Sequence, residues 1–107
     1  MEYFSIVYRI LKAVYDSMDY QDFDERSIAP DVLHVSVPKW EAIMVELVRN
    51  GYLTGIEIVP IMGLKIPGVK IIRPVLTLKG AEYLEDNTMM KKVQRTMKGI
   101  KDAIPGT

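Results

Sequence analysis

One amphipathic segment, residues 35–52 (VSVPKWEAIMVELVRNGY), constrains the fold most, because it carries both a start signal and a stop signal for a helix. Ser36 can accept a hydrogen bond from a first-turn N–H, and Pro38 falls where a missing N–H costs nothing. The pair Asn50-Gly51 ends the helix, since both residues tolerate positive φ. Between these signals the apolar residues recur at helical spacing and predict one wide buried face, anchored by the tryptophan: Trp40, Ile43, Met44, Leu47 and Val48.

The segments before this helix predict two further helices joined by an acidic loop. Residues 19–26 (DYQDFDER) form the loop, with at most one strand residue near Phe23. Residues 27–33 predict a short helix, and a three-residue connection then leads into the central helix, which is a helix-turn-helix pattern. Residues 3–18 predict the first helix, whose apolar stripe has alternating three- and four-residue spacing: Phe4, Val7, Leu11, Val14 and Met18. Three further apolar residues widen this surface beyond one face: Ile6, Ile10 and Ala13.

The segments after the central helix predict a β-hairpin with arms at residues 52–59 and 69–76. Pro67-Gly68 is typical of a type II turn, and Pro74 places the second arm at a sheet edge, because proline cannot donate to a strand ladder. The connection between the arms is unusually apolar. It either folds back on the body, the more ordinary interpretation, or presents an exposed contact surface. Its apolar residues are Ile61, Met62, Leu64 and Ile66.

The remaining residues predict two helices. Thr77 caps the first, Gly80 permits close packing on the hairpin, and three apolar residues face the core: Leu78, Ala81 and Leu84. Residues 89–104 predict an added C-terminal helix with a narrow apolar seam that docks on the first helix or forms a homodimer: Met90, Val93, Met97, Ile100 and Ile104. The whole order predicts an α+β fold, a winged helix (a helix-turn-helix with a β-hairpin wing) plus an added C-terminal helix, in one domain over residues 1–107.

Composition narrows the class of protein. The chain has no cysteine, so disulfides, thiol nucleophiles and thiolate metal sites are excluded. Neither a signal peptide nor a membrane span is predicted, because charges interrupt every apolar run, and we expect a cytoplasmic protein. The net charge is zero, although residues 1–50 hold 5 basic and 9 acidic side chains and residues 51–107 hold 9 basic and 5 acidic ones. No global positive field therefore attracts nucleic acid.

Three sequence words, NGYLTGI, LTLKGAEYLEDN and VQRTMKGIKDAI, occur in that order along the chain. In this respect the chain resembles the YjcQ-like family of small winged-helix proteins from Gram-positive bacteria and their phages, over most of its length. The resemblance implies a winged helix followed by an added C-terminal helix. It implies no activity, since the family has no established biochemical function. The hairpin tip of this chain is longer and more apolar than is usual in the family.

No constellation of catalytic residues is visible in the sequence. His34, the only histidine, has no partner at a spacing that would suggest a metal ligand or a general base, and we expect a partly buried turn residue. The acidic residues near it lack the spacing and glycine of a calcium loop and are expected to be solvated: Asp22, Asp24, Glu25 and Asp31. No glycine-rich phosphate loop precedes a helix. We therefore expect no enzyme, no metal and no cofactor.

Two functions remain, a phage-type transcriptional regulator that binds double-stranded DNA and an adaptor that binds another protein. In a winged helix the outward face of the central helix enters the major groove and the wing contacts backbone or minor groove. That outward face is predicted to carry Lys39, Glu41, Ala42, Val45, Glu46, Arg49 and Asn50. Fold analogy favours DNA, whereas the mixed charge of this face favours protein. The candidate nucleic-acid-binding residues are Lys39, Arg49, Asn50, Lys65, Lys70 and Arg73.

Overall fold

A computed structural model of the protein describes residues 2–87. Helix α1 (Glu2–Ser17) is followed by a 3₁₀ helix (Glu25–Ile28), helix α2 (Val37–Arg49), and strands β1 (Leu53–Val59) and β2 (Gly68–Leu76). Residues 78–87 form a further helix, α3. The two strands make an antiparallel hairpin. This order confirms the predicted α+β fold and its winged-helix layout. The predicted seam of residues 89–104 lies outside the described residues.

Helix α1 supplies the largest share of the core. Ile6 and Ile10, which were predicted to widen the apolar surface, are buried together with Val7, Leu11 and Val14 of the predicted stripe. Phe4 and Met18, the two ends of the predicted stripe, are instead exposed. The helix packs against both the 3₁₀ helix and β2, so the side chains between these two neighbours are the ones removed from water.

Helix α2 begins and ends at the predicted signals. The Ser36 hydroxyl accepts a hydrogen bond from the Lys39 N–H at 3.4 Å. At the other end Gly51 has φ +79°, and its N–H donates to the Val48 carbonyl at 3.1 Å, while the Tyr52 N–H donates to the Leu47 carbonyl at 2.9 Å. These two bonds form a Schellman motif, which satisfies the last carbonyls of the helix and turns the chain into β1.

The helix-turn-helix segment is shorter than predicted. In place of a helix over residues 27–33, the chain forms the 3₁₀ helix, capped by Asp24, whose carboxylate accepts a hydrogen bond from the Arg26 N–H. Turns follow, and they end at His34, which has φ 58° and is exposed rather than partly buried. Phe23 lies in a loop and not in a strand. Trp40 fixes this segment to α2, because its indole N–H donates to the Ile28 carbonyl at 2.7 Å.

The hairpin contains a register shift that the sequence pattern did not predict. Thr54 pairs with Val75, but Ile56 pairs with Ile71, so three residues of β2 stand opposite Gly55. Gly55 has φ +79°, and a Cβ built on it would lie 1.8 Å from the Arg73 carbonyl oxygen. Only glycine fits this β-bulge.

The structural roles of Pro74 and Gly68 in β2 differ in part from the roles predicted for them. Pro74 lies in the bulge and is fully buried, which suits a residue that cannot donate to the ladder. The predicted type II turn at Pro67-Gly68 is wrong, because Gly68 is the first residue of β2 and does not have positive φ. In the connection between the two strands the glycine with positive φ is Gly63, in a turn closed by the hydrogen bond from the Leu64 N–H to the Ile61 carbonyl.

Helix α3 packs on the base of the hairpin through its first turn. The Thr77 hydroxyl accepts a hydrogen bond from the Gly80 N–H at 3.0 Å, as a helix cap does. A Cβ on Gly80 would lie 2.3 Å from the Tyr52 carbonyl oxygen, which confirms that close packing requires glycine there. Leu84 is buried and Ala81 is partly buried against the core, but Leu78 is 87% exposed, so its predicted core position is wrong.

Candidate functional site

Helix α2 presents an exposed arc that is narrower than predicted. Lys39, Glu46, Arg49 and Asn50 are exposed on it. Val45, which was predicted to face outward, is 4% exposed and therefore buried. Glu41 is only partly exposed, and a Cβ on Gly68 would lie 3.2 Å from one of its carboxylate oxygens. This side of α2 thus faces the hairpin, because both strands pack against the helix.

The exposed arc and the hairpin meet at a shallow cleft of about 200 Å³. Arg49 from the C-terminal end of α2 and Lys65 from the hairpin tip both line this cleft, whose other lining residues are Ile58, Pro60, Ile61, Leu64 and Pro67. Lys70 is also exposed, on β2, directly opposite Glu57 in the strand register. The structure therefore brings two of the predicted cations to one surface and places a third beside a carboxylate.

Arg73 does not belong to this surface, in contrast to the prediction. Its guanidinium donates to the carbonyls of Ser17 at 2.8 Å, Tyr20 at 2.7 Å and Gln21 at 3.1 Å, and to the Ser17 hydroxyl and the Pro74 carbonyl. It also lies over the Phe23 ring at 5.9 Å. A cation at the C-terminus of α1 is favourable because the free carbonyls there carry partial negative charge. Arg73 is therefore a structural link between β2 and α1.

The side chain of Asn50, another predicted contact residue, already makes hydrogen bonds within the last turn of α2. Its amide donates to the Glu46 carbonyl at 2.8 Å and to the Glu46 carboxylate at 2.9 Å. The exposed arc therefore carries a carboxylate whose position is fixed by Asn50, between the cations Lys39 and Arg49 on the same face. This arrangement lowers the positive potential that the helix alone can offer to phosphate.

The apolar hairpin tip, residues 61–66, is exposed and not covered by the body, in contrast to the more ordinary interpretation. We refer to it as the wing tip. Met62 is 100% exposed and Leu64 is 60% exposed, and Ile61 and Ile66 are exposed as well. Single exposed apolar residues are common, but four within six residues form a concentrated exposed apolar patch.

A second apolar surface lies where the N-terminus of α1, the end of α2 and helix α3 meet. This aromatic cleft has a volume of about 110 Å³ and is lined by Tyr3, Phe4, Val7, Glu46, Leu47, Asn50, Tyr52 and Tyr83. Tyr52 and Tyr83 pack edge to face, with ring centroids 5.5 Å apart. Burial raises the pKa of Tyr83, and the neighbouring Tyr52 acts in the same direction. The sequence did not indicate this cleft, since its residues come from four separate segments.

The groups that could perform chemistry are scattered over the described residues. No group of three or more His, Cys, Asp or Glu residues that could hold a metal ion occurs within residues 2–87. Arg26 and Asp31 form an exposed ion pair at 2.9 Å, and the hydrogen bond from Arg26 lowers the pKa of the Asp31 carboxyl. In the same part of the chain, no helix is long and apolar enough to cross a membrane.

The turn-linked helices, the hairpin that projects beside α2 and the helix packed on its base define a winged-helix domain of the α+β class. Within this class the chain belongs to the YjcQ family, because the family model described as YjcQ protein matches residues 8–103. No curated protein matches the chain, and no solved structure matches it.

Proposed function

We propose that the protein is a winged-helix DNA-binding protein that regulates transcription in the cytoplasm. In this proposal α2 enters the major groove and the wing contacts the adjacent backbone or minor groove. The observation that carries it is the shared cleft of Arg49 and Lys65, because this cleft directs a helix cation and a wing cation towards the same side of the molecule. Both groups could then reach one duplex.

The number of available cations sets the strength of the interaction. Lys39, Arg49, Lys65 and Lys70 are exposed, whereas Arg73 is committed to α1. Four phosphate contacts correspond to a slope of roughly −3 to −4 for log K against log salt. Glu46 lies close to the helix cations and opposes phosphate. We therefore expect modest affinity that is strongest at low salt.

Fluorescence anisotropy with a labelled duplex at low salt tests this function. The variants Arg49→Ala, Lys39→Ala and Lys65→Ala should each weaken binding and each reduce the salt slope by about 1, because each removes one phosphate contact. Lys12→Ala is the matched control, since Lys12 is an exposed cation on α1 away from the cleft. A wild-type protein that does not bind duplex at low salt would contradict the proposal, as would three variants that bind like the control.

The second candidate is an adaptor that binds another protein, and the exposed wing tip favours it. Met62 and Leu64 present apolar surface that DNA phosphates cannot satisfy. In the anisotropy experiment an adaptor gives no duplex binding at low salt, while the wing tip still takes part in a protein contact. Both candidates are binding proteins and not enzymes.

A further inference from the structure

The wing tip and the aromatic cleft are complementary in size and polarity. The wing tip projects one fully exposed methionine and one largely exposed leucine, Met62 and Leu64. The cleft offers about 110 Å³ between apolar and aromatic side chains. A cavity of about 150 Å³ lined by such side chains can hold a benzene molecule. The cleft is therefore of the right size for one unbranched aliphatic side chain, and methionine adapts well to irregular apolar sites.

The charges at the two surfaces are complementary as well. Lys65 follows directly after Leu64 and is exposed on the wing tip. Glu46 lines the aromatic cleft, and its carboxylate is held by the Asn50 amide at 2.9 Å. A lysine that arrives with the wing tip would thus meet a carboxylate that is already oriented at the cleft. Opposite charges at the edge of an apolar contact set its register and suppress other partners.

In the structure one molecule does not make this contact with itself, because Met62 is 100% exposed and therefore lies outside the cleft of its own chain. Tyr52 lines the cleft and directly precedes β1, whereas the wing tip follows the far end of the same strand. Seven residues of β1 span roughly 23 Å at about 3.3 Å per residue. The length of β1 therefore separates the wing tip from the Tyr52 side of the cleft, and we take the occupant of the cleft from a second copy.

We propose that the chain self-associates through these surfaces, with Met62 of one copy inserted into the aromatic cleft of a second copy and Lys65 paired with Glu46. When the two copies are related by a two-fold axis, both wing tips and both clefts are used, and the assembly closes as a dimer. The contact does not depend on DNA binding. It also differs from a dimer through residues 89–104, because all of its residues lie between Tyr3 and Tyr83.

Sedimentation of the full chain over a range of concentrations tests this contact. The wild type should associate as concentration rises, and Met62→Asp should abolish association, since a carboxylate in an apolar cleft has no partner. Lys65→Glu and Glu46→Lys should each weaken the association constant by about tenfold or more, because each places like charges together. The double variant Lys65→Glu/Glu46→Lys restores opposite charges and should recover association.

Two controls keep the result specific. Lys12→Glu makes the same charge change as Lys65→Glu on exposed α1 and should associate like the wild type. Every variant should keep the wild-type helical circular dichroism, which separates loss of contact from loss of fold. The proposal is wrong if the wild type stays monomeric at about 1 mM chain. It is also wrong if association persists in Met62→Asp, or if the double charge variant associates no better than the single ones.

Discussion

At the scale of the single residue, Gly55 permits the β-bulge that shapes the hairpin. It faces three residues of β2, it has φ +79°, and the Arg73 carbonyl occupies the space of a Cβ. The register shift directs Arg73 towards α1 instead of along the sheet, as β-bulges commonly re-aim a side chain. The two features therefore depend on each other, although they belong to different strands.

Gly55→Ala should destabilise the protein by about 3 kcal/mol or more, because it adds a backbone clash to the cost of a left-handed conformation. Gly63→Ala is the matched control. Gly63 also has positive φ, but nothing lies within 4 Å of its Cβ position, so only about 1–2 kcal/mol is expected. Urea denaturation of both variants gives the two free energies of unfolding. Equal losses would show that the bulge can relax around a methyl group.

At the scale of the element, the side chain of Trp40 connects helix α2 to the segment that precedes it. Trp40 is only partly buried, yet its indole N–H bonds to the carbonyl of fully buried Ile28. The sequence indicated the tryptophan as a core anchor from its place in the apolar stripe. The hydrogen bond was not foreseeable, because it joins residues twelve positions apart across an irregular turn.

Trp40→Phe should lower the free energy of unfolding by about 1–3 kcal/mol, since it keeps a ring but leaves a buried carbonyl without its donor. Trp40→Ala should cost more, about 3–5 kcal/mol, because the ring contacts are lost as well. Tyr20→Ala is a suitable control, as Tyr20 is 72% exposed. Thermal and urea unfolding measure all three. If Trp40→Phe matched the wild type, the indole hydrogen bond would contribute nothing.

At the scale of the whole molecule, local signals were predictable and contacts between distant segments were not. The caps at Ser36 and Thr77 and the helix stop at Gly51 depend on a few neighbouring residues, so the sequence located them. Val45 is buried although its spacing predicted an outward position, and Leu78 is exposed although its spacing suits a core position. The same is true of the candidate site. The positions of its cations along the chain follow from the sequence, but the sequence did not reveal which groups each cation contacts.

The link made by Arg73 has a consequence for the order of folding. Its hydrogen bonds to Ser17, Tyr20 and Gln21 join residues 52 to 56 positions apart. Helix α1, helix α2 and the hairpin can each form from local contacts, whereas this link requires the closure of a long loop. We therefore expect it to form after the main transition state, when the hairpin already lies against α1.

Arg73→Ala should accordingly cost about 2 kcal/mol and speed unfolding by roughly thirtyfold, with a nearly unchanged folding rate, because a contact absent from the transition state affects only the unfolding rate. Stopped-flow folding and unfolding in urea measure both rates, and Lys70→Ala, an exposed cation on the same strand, is the control. A folding rate that falls in proportion to stability would place the link in the transition state. If the link does form late, Arg73 determines how long the native state persists and has little influence on how quickly it is reached.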